Sequence, residues 1–114
     1  MKYSNEIGFI GLGRMGGNMV RRLAGAGLHC VAFDANPAAV QALGAPGVTG
    51  AASLQQFVAA LKAPRVIWFM LPAAVVDQEL ANLAPLLAPG DVVIDGGNSY
   101  YRDDMRRKIA RAHV

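Results

Sequence analysis

Three glycines stand where an apolar run gives way to a helical pattern, and their spacing suits a ligand that contains phosphate. Gly11, Gly13 and Gly16 follow the run Glu6–Ile10 and precede apolar residues that recur at helical spacing. The first glycine allows a sharp turn, the second lets a pyrophosphate approach the backbone, and the third lets the helix pack close to the strand. The positive end of the helix dipole and unpaired N–H groups would face the phosphates. The motif therefore predicts a dinucleotide-binding turn, with a tight structural turn that binds nothing as the alternative.

An acidic residue closes the next apolar run. Asp34 follows His29–Phe33, at the separation from the glycines at which a carboxylate hydrogen-bonds ribose hydroxyls. Ala35 comes next, where an arginine would help to hold a 2′-phosphate. A carboxylate and a phosphate about 4 Å apart repel by about 1 kcal/mol in water and about 4 kcal/mol near a protein surface. We therefore expect NAD to be preferred over NADP. The alternative role for Asp34 is the N-cap of a helix that begins at Pro37.

A second group of polar and small residues lies between Gly90 and Arg107. An apolar run ends in Asp95, two glycines follow, and Asn98 and Ser99 open a helical pattern. In a doubly wound sheet this loop lies at the carboxyl edge, where ligands bind. Asn98 could hydrogen-bond both cofactor and substrate hydroxyls. Spacing alone favours this role no more than a helix N-cap at Asn98 or Ser99.

The elements that must position these residues alternate along the chain. Pro37 suits the first turn of its helix, Ser53 and Gln56 form a capping-box signature, and Pro85 should end or interrupt the fourth helix. The pattern predicts an α/β domain of the Rossmann type over residues 1–114, with a doubly wound, mainly parallel sheet and helices on both faces. Strands are predicted at Glu6–Ile10, His29–Phe33, Val48–Thr49, Arg65–Leu71 and Val92–Asp95, and helices at Arg14–Ala26, Pro37–Leu43, Leu54–Leu61, Ala74–Asn82 and Tyr101–Ala112.

Composition excludes several classes of protein. The 114 residues are 54% hydrophobic, yet no apolar stretch is long enough for a membrane helix and the N-terminus has no secretory h-region. Cys30, the only cysteine, is expected to be a buried structural thiol. No spacing of His, Cys and carboxylate residues suggests a metal site. The net charge of +3 comes with basic clusters, but acid–base pairs four residues apart in the last helix account for one of them better than nucleic-acid binding does. A cytoplasmic protein without nucleic-acid or membrane partners is expected.

The chain resembles the N-terminal domain of 6-phosphogluconate dehydrogenase. The likeness is carried by IGLGRMGGNM, VAFDANP, MLPAAVVDQEL, APLLAPGDVVIDGGNS and YRDDMRR, which together span nearly all of it. The resemblance implies that Asn98 contacts both the cofactor and 6-phosphogluconate. It also implies hydride transfer from the C3 hydroxyl of that sugar acid to NAD, followed by decarboxylation to a ribulose phosphate. By the same resemblance, the cofactor-binding residues are Gly11, Leu12, Gly13, Arg14, Met15, Gly16, Asp34, Ala35, Asn36, Met70, Leu71, Pro72 and Asn98, with Asn18 matching the asparagine that follows the glycine loop.

The sequence departs from the family in two places. Asp34, Ala35 and Asn36 stand where NADP-dependent members have an asparagine-arginine-threonine triplet, which favours the shorter, NAD-preferring bacterial branch. The resemblance also implies a catalytic lysine, a catalytic glutamate and a helical substrate and dimerisation domain, all of which would follow Val114. We therefore expect the full-length enzyme to be a homo-oligomer and the 114-residue chain by itself to be inactive. Another β-hydroxyacid dehydrogenase, or a stand-alone NAD(H)-binding module without catalysis, are the alternatives.

Overall fold

Five parallel strands form one sheet in a computed structural model that describes residues 5–96. The strand order is β3-β2-β1-β4-β5, and each pairing is parallel. The order reverses between β1 and β4, as in a doubly wound fold. The predicted fold class is therefore confirmed. The strands are β1 (Glu6–Ile10), β2 (His29–Phe33), β3 (Val48–Gly50), β4 (Val66–Phe69) and β5 (Val92–Asp95).

Helices cover both faces of the sheet, and two apolar clusters result. On one face, Phe9, Val20 and Cys30 belong to a cluster against which α1 and α2 pack. On the other face, Phe57 and Leu80 belong to a cluster that includes side chains of α3 and α4. Because adjacent strand residues point to opposite faces, the two clusters share the sheet between them. The helices are α1 (Arg14–Gly25), α2 (Pro37–Gln41), α3 (Leu54–Ala59) and α4 (Ala73–Leu83).

The capping box at the start of α3 and the proline after α4 have the roles that the sequence predicts. The Ser53 hydroxyl accepts a hydrogen bond from the Gln56 N–H at 3.1 Å, while the Gln56 side chain accepts one from the Ala52 N–H at 3.0 Å. Pro85 lies in a 3₁₀ turn, Ala84–Leu86, that interrupts the chain after α4. Helix boundaries differ from the predictions by one or two residues, the usual uncertainty where helix ends fray. The predicted helix Tyr101–Ala112 lies outside the described residues.

β4 (Val66–Phe69) is shorter at both ends than the predicted strand Arg65–Leu71, and a buried carboxylate binds the chain just before β4 begins. Asp91 is fully buried, and its Oδ1 accepts the Arg65 backbone N–H at 2.6 Å. Its Oδ2 accepts the Arg65 guanidinium at 3.0 Å and the Ala88 N–H at 2.8 Å. The carboxylate thereby joins the segments that enter β4 and β5, and its negative charge is paired, as burial requires. No helix in residues 5–96 is both long enough and apolar enough to cross a membrane.

A polar cluster joins three strands at the amino edge of the sheet. The Glu6 carboxylate accepts the Lys62 backbone N–H at 2.8 Å and lies 2.9 Å from Nδ1 of His29. Nε2 of His29 lies 2.8 Å from the Thr49 hydroxyl. Burial by itself would raise the pKa of Glu6, but the Lys62 N–H and His29 outweigh it, and the pKa is lowered from its ordinary value of 4.5. The cluster therefore stabilises the fold through the ionised form of Glu6.

We predict that Glu6→Gln lowers the free energy of unfolding by about 1 kcal/mol at pH 7, since a charge-assisted contact is lost. Because the folded-state pKa of Glu6 lies below its ordinary value of 4.5, this stabilisation is complete above that value and is lost as the pH falls through the folded-state pKa. Urea unfolding of both proteins between pH 3 and pH 7 measures the difference. Glu79→Gln removes a carboxylate from α4 and controls for net charge. A gap between wild type and Glu6→Gln that stays constant over this pH range would contradict the prediction.

Candidate functional site

A groove opens at the carboxyl edge of the sheet where the strand order reverses. The chain leaves β1 through the glycine loop toward α1, and it leaves β4 through Met70–Pro72 toward α4. These helices pack on opposite faces, so the two loops diverge and leave a crevice between them. The crevice brings together residues far apart in sequence.

The glycine loop packs against the end of β4 so closely that two of its glycines cannot be replaced without movement. Gly11 has φ +100, and a Cβ built on it would lie 2.6 Å from the Met70 carbonyl oxygen. A Cβ on Gly16 would collide with the Gly11 carbonyl oxygen. The loop is further held by the Gly11 N–H, which donates to the Phe33 carbonyl at 3.0 Å. The turn and the close helix packing assigned to these two glycines are thus both present in the structure.

Gly13 differs from the other two because it faces open space. It is the N-cap residue of α1 with φ −61 and ψ −175, and a Cβ at this position would meet nothing within 4 Å. No side chain caps α1, and its first turn carries no acidic residue. The N–H groups of that turn and the positive end of the helix dipole therefore remain available to an anion.

Asp34 joins the end of β2 to the glycine loop. Its Oδ2 accepts the Leu12 backbone N–H at 2.7 Å, and its Oδ1 accepts the Asn36 N–H at 2.8 Å. The alternative role as the N-cap of α2 is wrong, because the Asn36 side chain caps that helix by accepting the Ala38 N–H at 3.1 Å. A carboxylate has about four lone-pair positions. With two of them engaged, Asp34 is held in one orientation and can still accept hydroxyl groups.

Two cavities meet at Asp34. One, of about 420 Å³, lies inside the crevice between the glycine loop and Met70–Pro72, and Gly96 also lines it. The other, of about 490 Å³, lies beyond the ends of β2 and β3 and has a mainly apolar lining. Both cavities lie at the carboxyl edge, and the fixed carboxylate of Asp34 is the lining residue that they share. The smaller cavity is lined by Gly11, Leu12, Gly13, Met15, Gly16, Asp34, Met70, Leu71, Pro72 and Gly96.

Most of the predicted site residues line this groove, and a few lie elsewhere. Ala35 lines the larger cavity beside Asp34. Asn36 caps α2, and Asn18 lies on an exposed face of α1 where its side chain contacts Arg21 at 3.4 Å. Arg14 begins α1. Asn98 lies outside the described residues.

Sequence reasoning missed the wall of the larger cavity. Phe33, Val40, Gly50 and Ala51 line it, and they come from the ends of β2 and β3 and from α2. The usable signal was positional: in an open α/β sheet the residues just beyond the carboxyl ends of the strands next to the switch point form the ligand crevice. Gly96, which follows β5, was expected from the sequence to allow close approach at this edge, and it does line the groove.

Reactive groups within the described residues lie away from the groove. Cys30 is buried in β2, and burial raises the pKa of its thiol, so it is a poor nucleophile. No cluster of three His, Cys, Asp or Glu side chains in this part of the chain could hold a metal ion. The geometry of residues 5–96 therefore fits a binding site for an anionic, hydroxyl-bearing ligand.

Comparison with known proteins identifies the family. A family model described as the NAD binding domain of 6-phosphogluconate dehydrogenase matches residues 6–113. The chain is 44% identical over 106 residues to an NAD(+)-dependent, decarboxylating 6-phosphogluconate dehydrogenase of Haloferax volcanii, covering 92% of this chain and 36% of that protein. It is 41% identical over 102 residues to a putative 6-phosphogluconate dehydrogenase of Bacillus subtilis, covering 90% of this chain and 34% of the relative. The chain thus spans about a third of the length of these two relatives.

Solved structures agree on the fold. A Plasmodium falciparum 6-phosphogluconate dehydrogenase superposes with a TM-score of 0.84 at 24% identity, covering 95% of this chain and 25% of that one. A Mycobacterium tuberculosis 3-hydroxyisobutyrate dehydrogenase superposes with a TM-score of 0.77 at 32% identity, covering 94% of this chain and 36% of that one. With the family model matched over nearly the whole chain, the protein belongs to the family of NAD-binding domains of 6-phosphogluconate dehydrogenase.

Proposed function

We propose that this domain binds NAD along the groove at the carboxyl edge, with Asp34 selecting NAD over NADP. The observation that carries the proposal is the open position at Gly13, at the uncapped N-terminus of α1 and beside a fixed carboxylate. A pyrophosphate would lie on the Gly13 backbone, and one ribose would lie against Asp34. The adenine would enter the apolar cavity of about 490 Å³, and the nicotinamide would lie toward Met70, Leu71 and Pro72.

The charges along the groove support NAD rather than NADP. Among the side chains that the structure describes, Asp34 is the only charged one that lines the two cavities. A 2′-phosphate on the ribose that Asp34 contacts would lie close to its carboxylate, and the two negative charges would repel each other. The Haloferax volcanii relative is named as NAD(+)-dependent, whereas the Plasmodium falciparum structure was solved in complex with NADP+.

For the whole protein we infer NAD-dependent oxidative decarboxylation of 6-phosphogluconate to a ribulose phosphate. The family match and the relatives' names support this activity. Bound nicotinamide would supply the hydride acceptor. This chain's residues would bind and orient the cofactor, and Asn98 would also contact the sugar-acid phosphate. Assembly of the full-length enzyme as a homo-oligomer and its cytoplasmic location remain expectations from the sequence.

A second candidate is a dehydrogenase for another β-hydroxyacid. The 3-hydroxyisobutyrate dehydrogenase of Mycobacterium tuberculosis favours it, since the identity of 32% is higher than that to the Plasmodium falciparum enzyme. Against it stands the family match, together with the DGGNS motif at Asp95–Ser99. The substrate assay below separates the two candidates.

Gly13→Val is expected to abolish NADH binding while the fold persists. The added side chain would occupy the place of the pyrophosphate, and the protein around it leaves room for a Cβ. Gly13→Ser fills the same space but adds a favourable N-cap, so it should lose binding without loss of stability. Gly16→Ala, which collides with the Gly11 carbonyl, should instead lower the unfolding temperature. Calorimetric titration and thermal unfolding measure both effects, and wild-type affinity in either Gly13 variant would refute the assignment.

The domain is expected to bind NADH at least about tenfold more tightly than NADPH, which corresponds to about 1.4 kcal/mol. Ala35→Arg should raise NADPH affinity while the bond from Leu12 to Asp34 is kept. Asp34→Ala with Ala35→Arg should narrow or reverse the preference. It should also weaken NADH binding, because the Leu12 N–H loses its acceptor. Fluorescence titration of both cofactors decides the matter, and equal affinities in the wild type would contradict the proposed selectivity.

The 114-residue chain by itself is expected to produce no NADH from 6-phosphogluconate. Hydride transfer from an alcohol needs a base within about 2.6–3.2 Å of the hydroxyl and a substrate held against the nicotinamide. A longer chain that joins these residues to a substrate domain should oxidise 6-phosphogluconate in preference to 3-hydroxyisobutyrate. Steady-state absorbance assays with both substrates provide the measurement. Turnover by the short chain that is lost on Asn98→Ala would place the catalytic machinery inside it.

A further inference from the structure

One aromatic side chain lies directly behind the wall of the groove. The Trp68 indole N–H donates a hydrogen bond to the Met70 sulfur at 2.9 Å. The ring also packs beside Phe9, with centroids 6.4 Å apart. Met70 lines the smaller cavity, whereas Trp68 does not. The indole therefore contacts the groove only through a neighbour.

The other side of the indole is bounded by Gly96. A Cβ built on Gly96 would collide with the indole of Trp68, so the ring occupies the space that a side chain at this position would need. Gly96 lines the same cavity as Met70. Trp68 is thus wedged between two parts of the wall, one at the end of β4 and the other at the end of β5.

This part of the wall faces one particular portion of the proposed ligand. The two cavities share Asp34, and the smaller one extends from there past Gly13 to Met70 and Gly96. If the pyrophosphate lies at Gly13 and the adenosine ribose at Asp34, the second base of the dinucleotide reaches Met70 and Gly96. The assignment of this end to the nicotinamide therefore rests on the proposed function.

Met70 presents one defined surface to a ligand only if its side chain is kept in a single rotamer. Its unbranched side chain has three rotatable bonds and adopts many shapes unless a contact selects one. A donor held in place by its neighbours, as the half-buried Trp68 is by Phe9 and Gly96, selects one rotamer. A fixed side chain reduces the ordering that a ligand must impose when it binds. We propose that Trp68 is a positioning residue that holds Met70 against the nicotinamide, so that it controls affinity for that half of the cofactor only.

The test compares two ligands that differ by the nicotinamide. NADH and ADP-ribose are titrated calorimetrically into the wild-type chain and into Trp68→Phe, which keeps an aromatic ring but lacks the N–H donor. We expect NADH binding to weaken by about threefold to tenfold, the range that the loss of one hydrogen bond supports. ADP-ribose binding should change by less than about twofold, because its contacts lie at Gly13, Asp34 and the larger cavity.

A second variant shows whether Trp68 acts through Met70. Met70→Leu keeps the apolar bulk but removes the sulfur acceptor, and it should reproduce the selective loss of NADH affinity. The double variant should then lose no more than either single one, because both remove the same interaction. Additive losses in the double variant would overturn the proposed route through Met70. Met70 is only half-buried, so Met70→Leu should fold normally. It therefore tests the proposal even if Trp68→Phe folds poorly.

Phe57→Leu is the matched control. Phe57 is a fully buried aromatic residue on the opposite face of the sheet, so its truncation weakens the core without touching Met70. Phe57→Leu should change the affinities for NADH and ADP-ribose by the same factor. Equal weakening of NADH and ADP-ribose by Trp68→Phe would show a purely structural role and overturn the inference, as would no change in either. If the wild type bound neither ligand, the proposed function would fail first, and the inference would fall with it.

Discussion

The close approach of the glycine loop to the end of β4 is the constraint on which the groove depends. Gly11 lies against the Met70 carbonyl, and Gly16 lies against Gly11 itself, with no room for a Cβ at either position. This packing brings the N-terminus of α1 to the carboxyl edge of the sheet, beside the loop that leads into α4. A side chain at either glycine would push the helix away, and the open position at Gly13 would no longer face the crevice.

Asp34 has a structural role, and the role in recognition that we propose for it would arise from the same charge. The carboxylate accepts the Leu12 and Asn36 backbone N–H groups, which connects the β1–α1 loop to the end of β2. Charge-assisted hydrogen bonds of this kind are stronger than neutral ones. The same negative charge disfavours a second phosphate nearby. Under the proposed function, cofactor preference and loop geometry would therefore be coupled, and a substitution of Asp34 made to alter one would also alter the other.

The two edges of the sheet differ in how their polar groups are satisfied. At the amino edge, the carboxylates of Glu6 and Asp91 accept backbone N–H groups and contact His29 and Arg65 respectively. At the carboxyl edge, α1 begins without a side-chain cap. Uncapped N–H groups cost stability unless water or a ligand meets them. Side chains therefore bind backbone N–H groups at both edges, since Asp34 does so at the carboxyl edge, but the first turn of α1 is left without a side-chain acceptor.

The sequence alone determined the order of strands and helices along the chain, the glycine turn, the Ser53 cap of α3 and the family. These features depend on patterns within a few residues, such as apolar periodicity, proline positions and the Ser53 cap, which local geometry translates directly into structure. The roles of Gly11 and Gly16 followed from a motif whose context lies entirely in β1 and α1. The prediction that Cys30 is buried followed from its apolar run and is confirmed.

Only the tertiary structure decided which residues meet at the carboxyl edge. Spacing left Asp34 with two roles, and the structure excludes one of them, because Asn36 caps α2 while Asp34 accepts the Leu12 N–H. The larger cavity beyond β2 and β3 and the position of Trp68 between Met70 and Gly96 have no local signature. Each of these arrangements joins residues from different strands, and their distances are set by how the sheet pairs and twists. Local patterns therefore specify the elements, whereas long-range packing specifies the binding surface.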